Sequence, residues 1–107
     1  MAKLISIYWR DIPAKVIGRR ARQKVKKELE PRFHEAIDRA AMRAGRGSSD
    51  AYLADWRRVT EMVSGDIEVL VADKVRVLEQ GFPVEFLEKV IKAGGVSDGL
   101  RKTEEEN

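Results

Sequence analysis

Six residues near the N-terminus, Leu4-Ile5-Ser6-Ile7-Tyr8-Trp9, constrain this chain more than any other segment. Ile5, Ile7 and Trp9 alternate with Leu4, Ser6 and Tyr8, and a period of two in β-branched and aromatic residues predicts a strand. Asp11-Ile12-Pro13 stops it, because proline lacks a backbone donor and restricts the residue before it. Ala14 to Arg19 predicts a second strand that turns at Gly18, so the chain opens with a β-hairpin. Arg20 to Glu28 leaves three readings open: an extended arm, more strand, or an early helix turn.

Helical periodicity takes over at Pro31, which suits a first helical position. Phe33, Ala36, Ile37, Ala40, Ala41 and Ala44 recur at three- and four-residue steps and predict one buried stripe, ended by Gly45 to Gly47. Ser49 and Asp50 cap a short helix expected to hold Tyr52, Leu53 and Trp56. Arg58 to Val63 reads as a strand that turns at Ser64-Gly65-Asp66. Ile67 to Gln80 carries both periods, but its length and its Glu, Lys, Arg and Leu content favour helix. Pro83 opens a last helix with Leu87, Val90 and Ile91 inward, closed by Gly94-Gly95. The expected fold is α+β: a small antiparallel sheet, made of the N-terminal hairpin and one later strand, against three to four helices. Trp9, Phe33, Tyr52 and Trp56 are expected to gather where the sheet meets the first helix. Residues 1–95 form the expected single domain, and 96–107 an acidic, disordered tail ending Glu104-Glu105-Glu106-Asn107.

Composition removes several classes of function. A chain of 107 residues with 43% hydrophobic content suits one globular domain. The absence of cysteine removes disulfides, thiolate nucleophiles and sulfur-ligated metals, and favours a cytoplasmic setting. The N-terminal apolar run is too short for a signal peptide, and no stretch approaches the roughly 20 apolar residues of a membrane helix. At 36% charged and a net charge of +3, the distribution of charge is more telling than its size.

Three ordered segments carry a family resemblance. They are Ile7-Tyr8-Trp9-Arg10-Asp11-Ile12-Pro13-Ala14, the run Arg32 to Ala44, and Asp50-Ala51-Tyr52-Leu53-Ala54-Asp55-Trp56-Arg57-Arg58. Together the chain resembles the small bacterial "virulence factor" domain family, a domain also present in staphylococcal conserved virulence factor C-type proteins. The resemblance implies an accessory or interaction role, since longer members place the domain beside a NifU-like scaffold and helical repeats. Freestanding members occur among genes for corrinoid- and folate-dependent methyl transfer, so an accessory subunit of one-carbon metabolism is an alternative that the resemblance implies. It brings no catalytic residues onto these positions. The basic Gly18–Lys27 stretch and the Gly-Phe-Pro junction at 81–83 depart from the family pattern.

The sharpest charge feature is Lys15, Arg19, Arg20, Arg22, Lys24, Lys26 and Lys27, with no acid between Ile12 and Glu28. Such a run suits a polyanionic partner. It contains no aromatic residue for base stacking and no nucleic-acid motif, so an acidic protein surface is the expected partner and nucleic acid the alternative. The expected docking surface joins Arg19, Arg20, Arg22 and Lys24 to Tyr8, Arg10 and Asp11, with Arg10 and Asp11 as a local ion pair. No catalytic residue, metal ligand or cofactor is expected, and an enzyme is the less favoured reading. His34 is the single histidine, and Glu30, His34 and Asp38 share a wet helix face where charged residues at this spacing are ordinary surface pairs. Gly45-Arg46-Gly47-Ser48-Ser49 is a weak phosphate-loop candidate without the lysine and spacing of a P-loop. An exposed Val69, Val77 or Phe86 would open a route to a homodimer.

Overall fold

The structure, a computed structural model, describes residues 1–46 and 49–97. Four strands, β1 (Ala2–Trp9), β2 (Ile12–Arg20), β3 (Gln23–Glu28) and β4 (Trp56–Val63), form one antiparallel sheet in the order β3-β2-β1-β4. The helices are α1 (Pro31–Arg43), α2 (Ser49–Ala54), α3 (Ile67–Gln80) and α4 (Val84–Lys92). The α+β expectation holds, with a fourth strand added. The stretch left open, 20–28, is a two-residue turn and an edge strand: Arg20 pairs with Gln23, and Ala21 takes φ 53°. Gly18 lies inside β2 rather than at a turn, because α3 presses on it there. A Cβ at Gly18 would sit 2.6 Å from both Ile67 Cγ1 and Val71 Cγ2.

That contact fixes which face is which. Leu4 pairs with Gly18 and Ser6 with Val16, so this side of β1 and β2 looks onto the helices. α3 lies across β2 and β3, α1 lies on β2, and α4 packs on α1. Phe33, Ala36, Ile37, Ala40 and Ala41 of α1 are buried, as the periodicity predicts. Ile67, Val71 and Val75 of α3 and Phe86, Leu87, Val90 and Ile91 of α4 complete one core with Leu4, Ala14 and Val16. Burying each large apolar side chain contributes about 1.5–3 kcal/mol. The segment 67–80 is helical throughout, and the Asp66 carboxylate accepts from the Glu68 and Val69 amides to start it.

Two local features shape the sheet. Ile7 pairs with Lys15 but Tyr8 with Pro13, so Ala14 is an extra residue and β2 carries a bulge. The bulge accommodates the proline in a central strand, and the Ala14 carbonyl accepts from the Leu29 amide instead. Trp56 opens β4 instead of closing α2. The aromatic rings form two groups rather than one. Tyr52 stacks on Trp9 and meets Trp56 edge-on, while Phe33 meets Phe82, which in turn packs on Phe86.

Candidate functional site: an open, cationic sheet face

The side of the sheet opposite the helices is built in rows. Directly opposed residues share a face, so Lys24, Arg19, Lys3 and Met62 form one row, and Lys26, Ile17, Ile5 and Thr60 the next. Glu28, Lys15, Ile7 and Arg58 form the third. Aliphatic side chains occupy the middle and cations the periphery. Ile5 is only 9% exposed yet has no part in the core cluster, since the neighbours on its own face shield it.

Lys3, Lys15, Arg19, Lys24, Lys26 and Arg58 have no ion-pair or hydrogen-bond partner among the described residues. Glu28, the one acid in the rows, lies 3.9 Å from His34 Nε2 rather than in a pair with Lys15. Off this face the arginines are mostly engaged. Arg32 donates to the Glu79 and Phe82 carbonyls at the end of α3 and lies 4.3 Å over the Phe33 ring. Arg39 and Glu88 form a two-bond pair between α1 and α4 at 2.7 and 3.1 Å. That pair holds the Glu88 carboxyl below its ordinary pKa, chiefly through the hydrogen bond from Arg39.

The expected docking surface does not assemble as one patch. Arg19, Arg20, Arg22 and Lys24 lie at the β2–β3 end of the sheet, whereas Tyr8, Arg10 and Asp11 lie at the β1–β2 turn. The intervening eight steps of β2 separate them by about 27 Å. Arg10 and Asp11 do not pair with each other. Arg10 Nε donates to Asp55 at 3.1 Å and Nη1 to the Gly94 carbonyl at 3.1 Å, with the guanidinium 5.3 Å from the Trp9 ring centre. Asp11 accepts from Arg57 and from the amide and hydroxyl of Ser97, at 3.1, 2.7 and 3.1 Å. These two residues therefore tie the first turn to the start of β4 and to the segment after α4. Arg57 also covers the Tyr8 ring at 4.5 Å, so Tyr8 is half-buried beneath a cation of its own domain.

Of the hairpin residues, Arg19 and Lys24 belong to the open face, and Arg20 donates to the Gly65 carbonyl on the other side. Val96 and Ser97, placed in the tail by composition, are in position, and the acidic stretch 98–107 lies outside the described residues. Gly47 and Ser48 of the phosphate-loop candidate also lie outside them. Glu30 pairs with Arg32, and no three His, Asp or Glu side chains converge as a metal site among the described residues. Val69 and Val77 are exposed and Phe86 is buried, which removes Phe86 from any contact between copies.

Sequence reasoning missed Lys3, Ile7, Trp56 and Arg58 as members of a common face. The signal was present in the parity of Lys3-x-Ile5-x-Ile7, Lys15-x-Ile17-x-Arg19 and Lys24-x-Lys26-x-Glu28. Beside the bulge the third row deepens into a depression of about 450 Å³ lined by Ile7, Lys15, Trp56, Arg57 and Arg58. No helix among the described residues is long and apolar enough to cross a membrane. No curated protein and no solved structure matches the chain. A family model described as "Virulence factor" matches residues 7–91, from the last residues of β1 to the last turn of α4, and the chain belongs to that family.

Proposed function

We propose that this domain is a non-catalytic docking module of a bacterial cytoplasmic system, and that it receives an acidic protein partner on the open face of its sheet. The observation that carries this reading is the group of cations around Ile5, Ile7 and Ile17 that have no partner among the described residues. An apolar middle with a charged rim is the usual anatomy of a protein interface. The floor is aliphatic and Trp56 is, among the described residues, the one ring at its margin, which favours a protein over single-stranded nucleic acid, whose successive bases need several aromatic rings to stack on. The docking residues are therefore Arg19 and Lys24 from the hairpin, with Lys3, Lys15, Lys26 and Arg58. Arg10 and Asp11 are left to architecture. An accessory role in corrinoid- or folate-dependent methyl transfer rests on family resemblance alone, and a docking domain is compatible with it.

The test is a titration of ¹⁵N-labelled protein with an unfolded peptide rich in Glu and Leu, in parallel with a thymidine oligonucleotide, at low and high salt. The expected result is peptide-induced amide shifts along the three rows, weakened by salt and abolished by Lys15→Glu with Arg58→Glu. Shifts with the oligonucleotide alone would transfer the face to nucleic acid. No shift with either removes the proposal.

A further inference from the structure

The third row is unlike the other two. Lys15 on β2 and Arg58 on β4 stand on either side of Ile7 on β1, two strand spacings or roughly 10 Å apart at the backbone. Trp56 is half-buried and walls one side of the depression between them. Arg57 completes the lining, but its guanidinium is committed to Asp11, the Arg10 carbonyl and the Tyr8 ring. Two cations free of partners among the described residues thus face each other across an apolar floor.

We propose that this depression is a subsite for one acidic residue and its apolar neighbour in the partner's chain. The Asp or Glu carboxylate is held between Lys15 and Arg58, and the adjacent apolar side chain lies on Ile7 against Trp56. The proposal rests on the docking reading above and locates its anchor. Arg58 offers a planar fork that matches a carboxylate, whereas Lys15 supplies a point charge from the opposite strand. The bulge at Ala14 raises the local twist, and bulges commonly re-aim side chains at binding sites. The Trp56 ring supplies the large, rigid contact area typical of interface anchors.

Short capped peptides test this directly, with the Trp56 indole N–H as reporter. An alternating Leu-Glu pentapeptide is titrated beside its Leu-Gln counterpart and inorganic phosphate. The expected result is a shift of the indole and of the Ile7, Lys15 and Arg58 amides with the Glu peptide, and little with the Gln peptide. Lys15→Gln and Arg58→Gln should each weaken binding up to about fivefold, the limit for an exposed ion pair. Both side chains are solvent-facing, so unchanged thermal unfolding of each variant establishes that the fold is intact. Shifts confined to the Lys24-Arg19-Lys3 row would overturn the subsite while leaving the docking face in place. Equal shifts from phosphate would overturn the apolar half of the contact. Absence of any peptide effect on the open face would remove both readings together.

Discussion

Substituting Gly18 by alanine adds one methyl group at the closest approach of sheet and helix. In an ordinary strand the change is favourable by about 0.5–1 kcal/mol, because glycine is the more flexible residue in the unfolded chain. Here the new Cβ would lie 2.6 Å from Ile67 Cγ1, 2.6 Å from Val71 Cγ2 and 3.1 Å from Ile67 Cδ1. Carbon atoms in contact prefer about 3.5–4.0 Å, so α3 must lift by most of an ångström or two buried side chains must leave their rotamers. Overpacking of this kind costs about 1–3 kcal/mol, and the net destabilisation of Gly18→Ala should be about 1–2 kcal/mol. For a domain of this size that corresponds to a melting temperature lower by roughly 5–15 °C. Urea unfolding followed by far-ultraviolet circular dichroism measures it. The decisive comparison is the same substitution in a Val71→Ala background, where one of the two clashing carbons is gone and the cost of Gly18→Ala should shrink. A stabilising Gly18→Ala, or an equal cost in both backgrounds, would refute the account of how α3 seats on the sheet.

Ala21 holds φ 53° at the first position of the β2–β3 turn while exposed, so Ala21→Gly should raise stability by about 0.5–1 kcal/mol in the same assay. Asp11→Ala removes the acceptor for Ser97 and the partner of Arg57, and should cost about 1–3 kcal/mol and accelerate hydrogen exchange at the Ser97 amide. The Ser6 hydroxyl is buried and has no hydrogen-bond partner among the described residues, so Ser6→Ala should leave unfolding unchanged or raise stability by up to about 1 kcal/mol. Glu88 has a lowered pKa in the folded state, so its contribution is present above the ordinary carboxylate range and fades as pH falls through the folded value. A carboxyl-detected NMR titration should place Glu88 below its ordinary value, and Arg39→Ala should move it back toward that value, with Lys92 still lowering it.

The elements with long, single-period patterns were legible: β1, α1 and α4 read directly, and α3 once its length was weighed against its local alternation. Asp66, read from the sequence as part of a turn, proves to be the cap of α3. β3 was obscured for two physical reasons. Its turn is Ala21-Arg22, without the Gly, Asn or Asp that marks a two-residue hairpin, and its Lys24, Lys26 and Lys27 belong to the charged composition of a protected edge strand. The site was half legible. Spacing revealed that the cations cluster, but not that an extended β2 separates Arg19 to Lys24 from Tyr8 to Asp11. Nor does adjacency in sequence reveal that Arg10 and Asp11 turn to different partners, since those partners, Asp55, Gly94 and Ser97, are more than forty residues away.

The six cations of the open face that lack partners among the described residues have a kinetic consequence. Most arginines off this face are engaged by carboxylates or backbone carbonyls, so the open face concentrates positive charge. If the acidic partner proposed above docks there, this field should turn it toward the sheet before contact. On the docking reading proposed above, ionic strength should govern chiefly how often productive encounters occur, and the isoleucines and the indole beneath the rim should set the residence time.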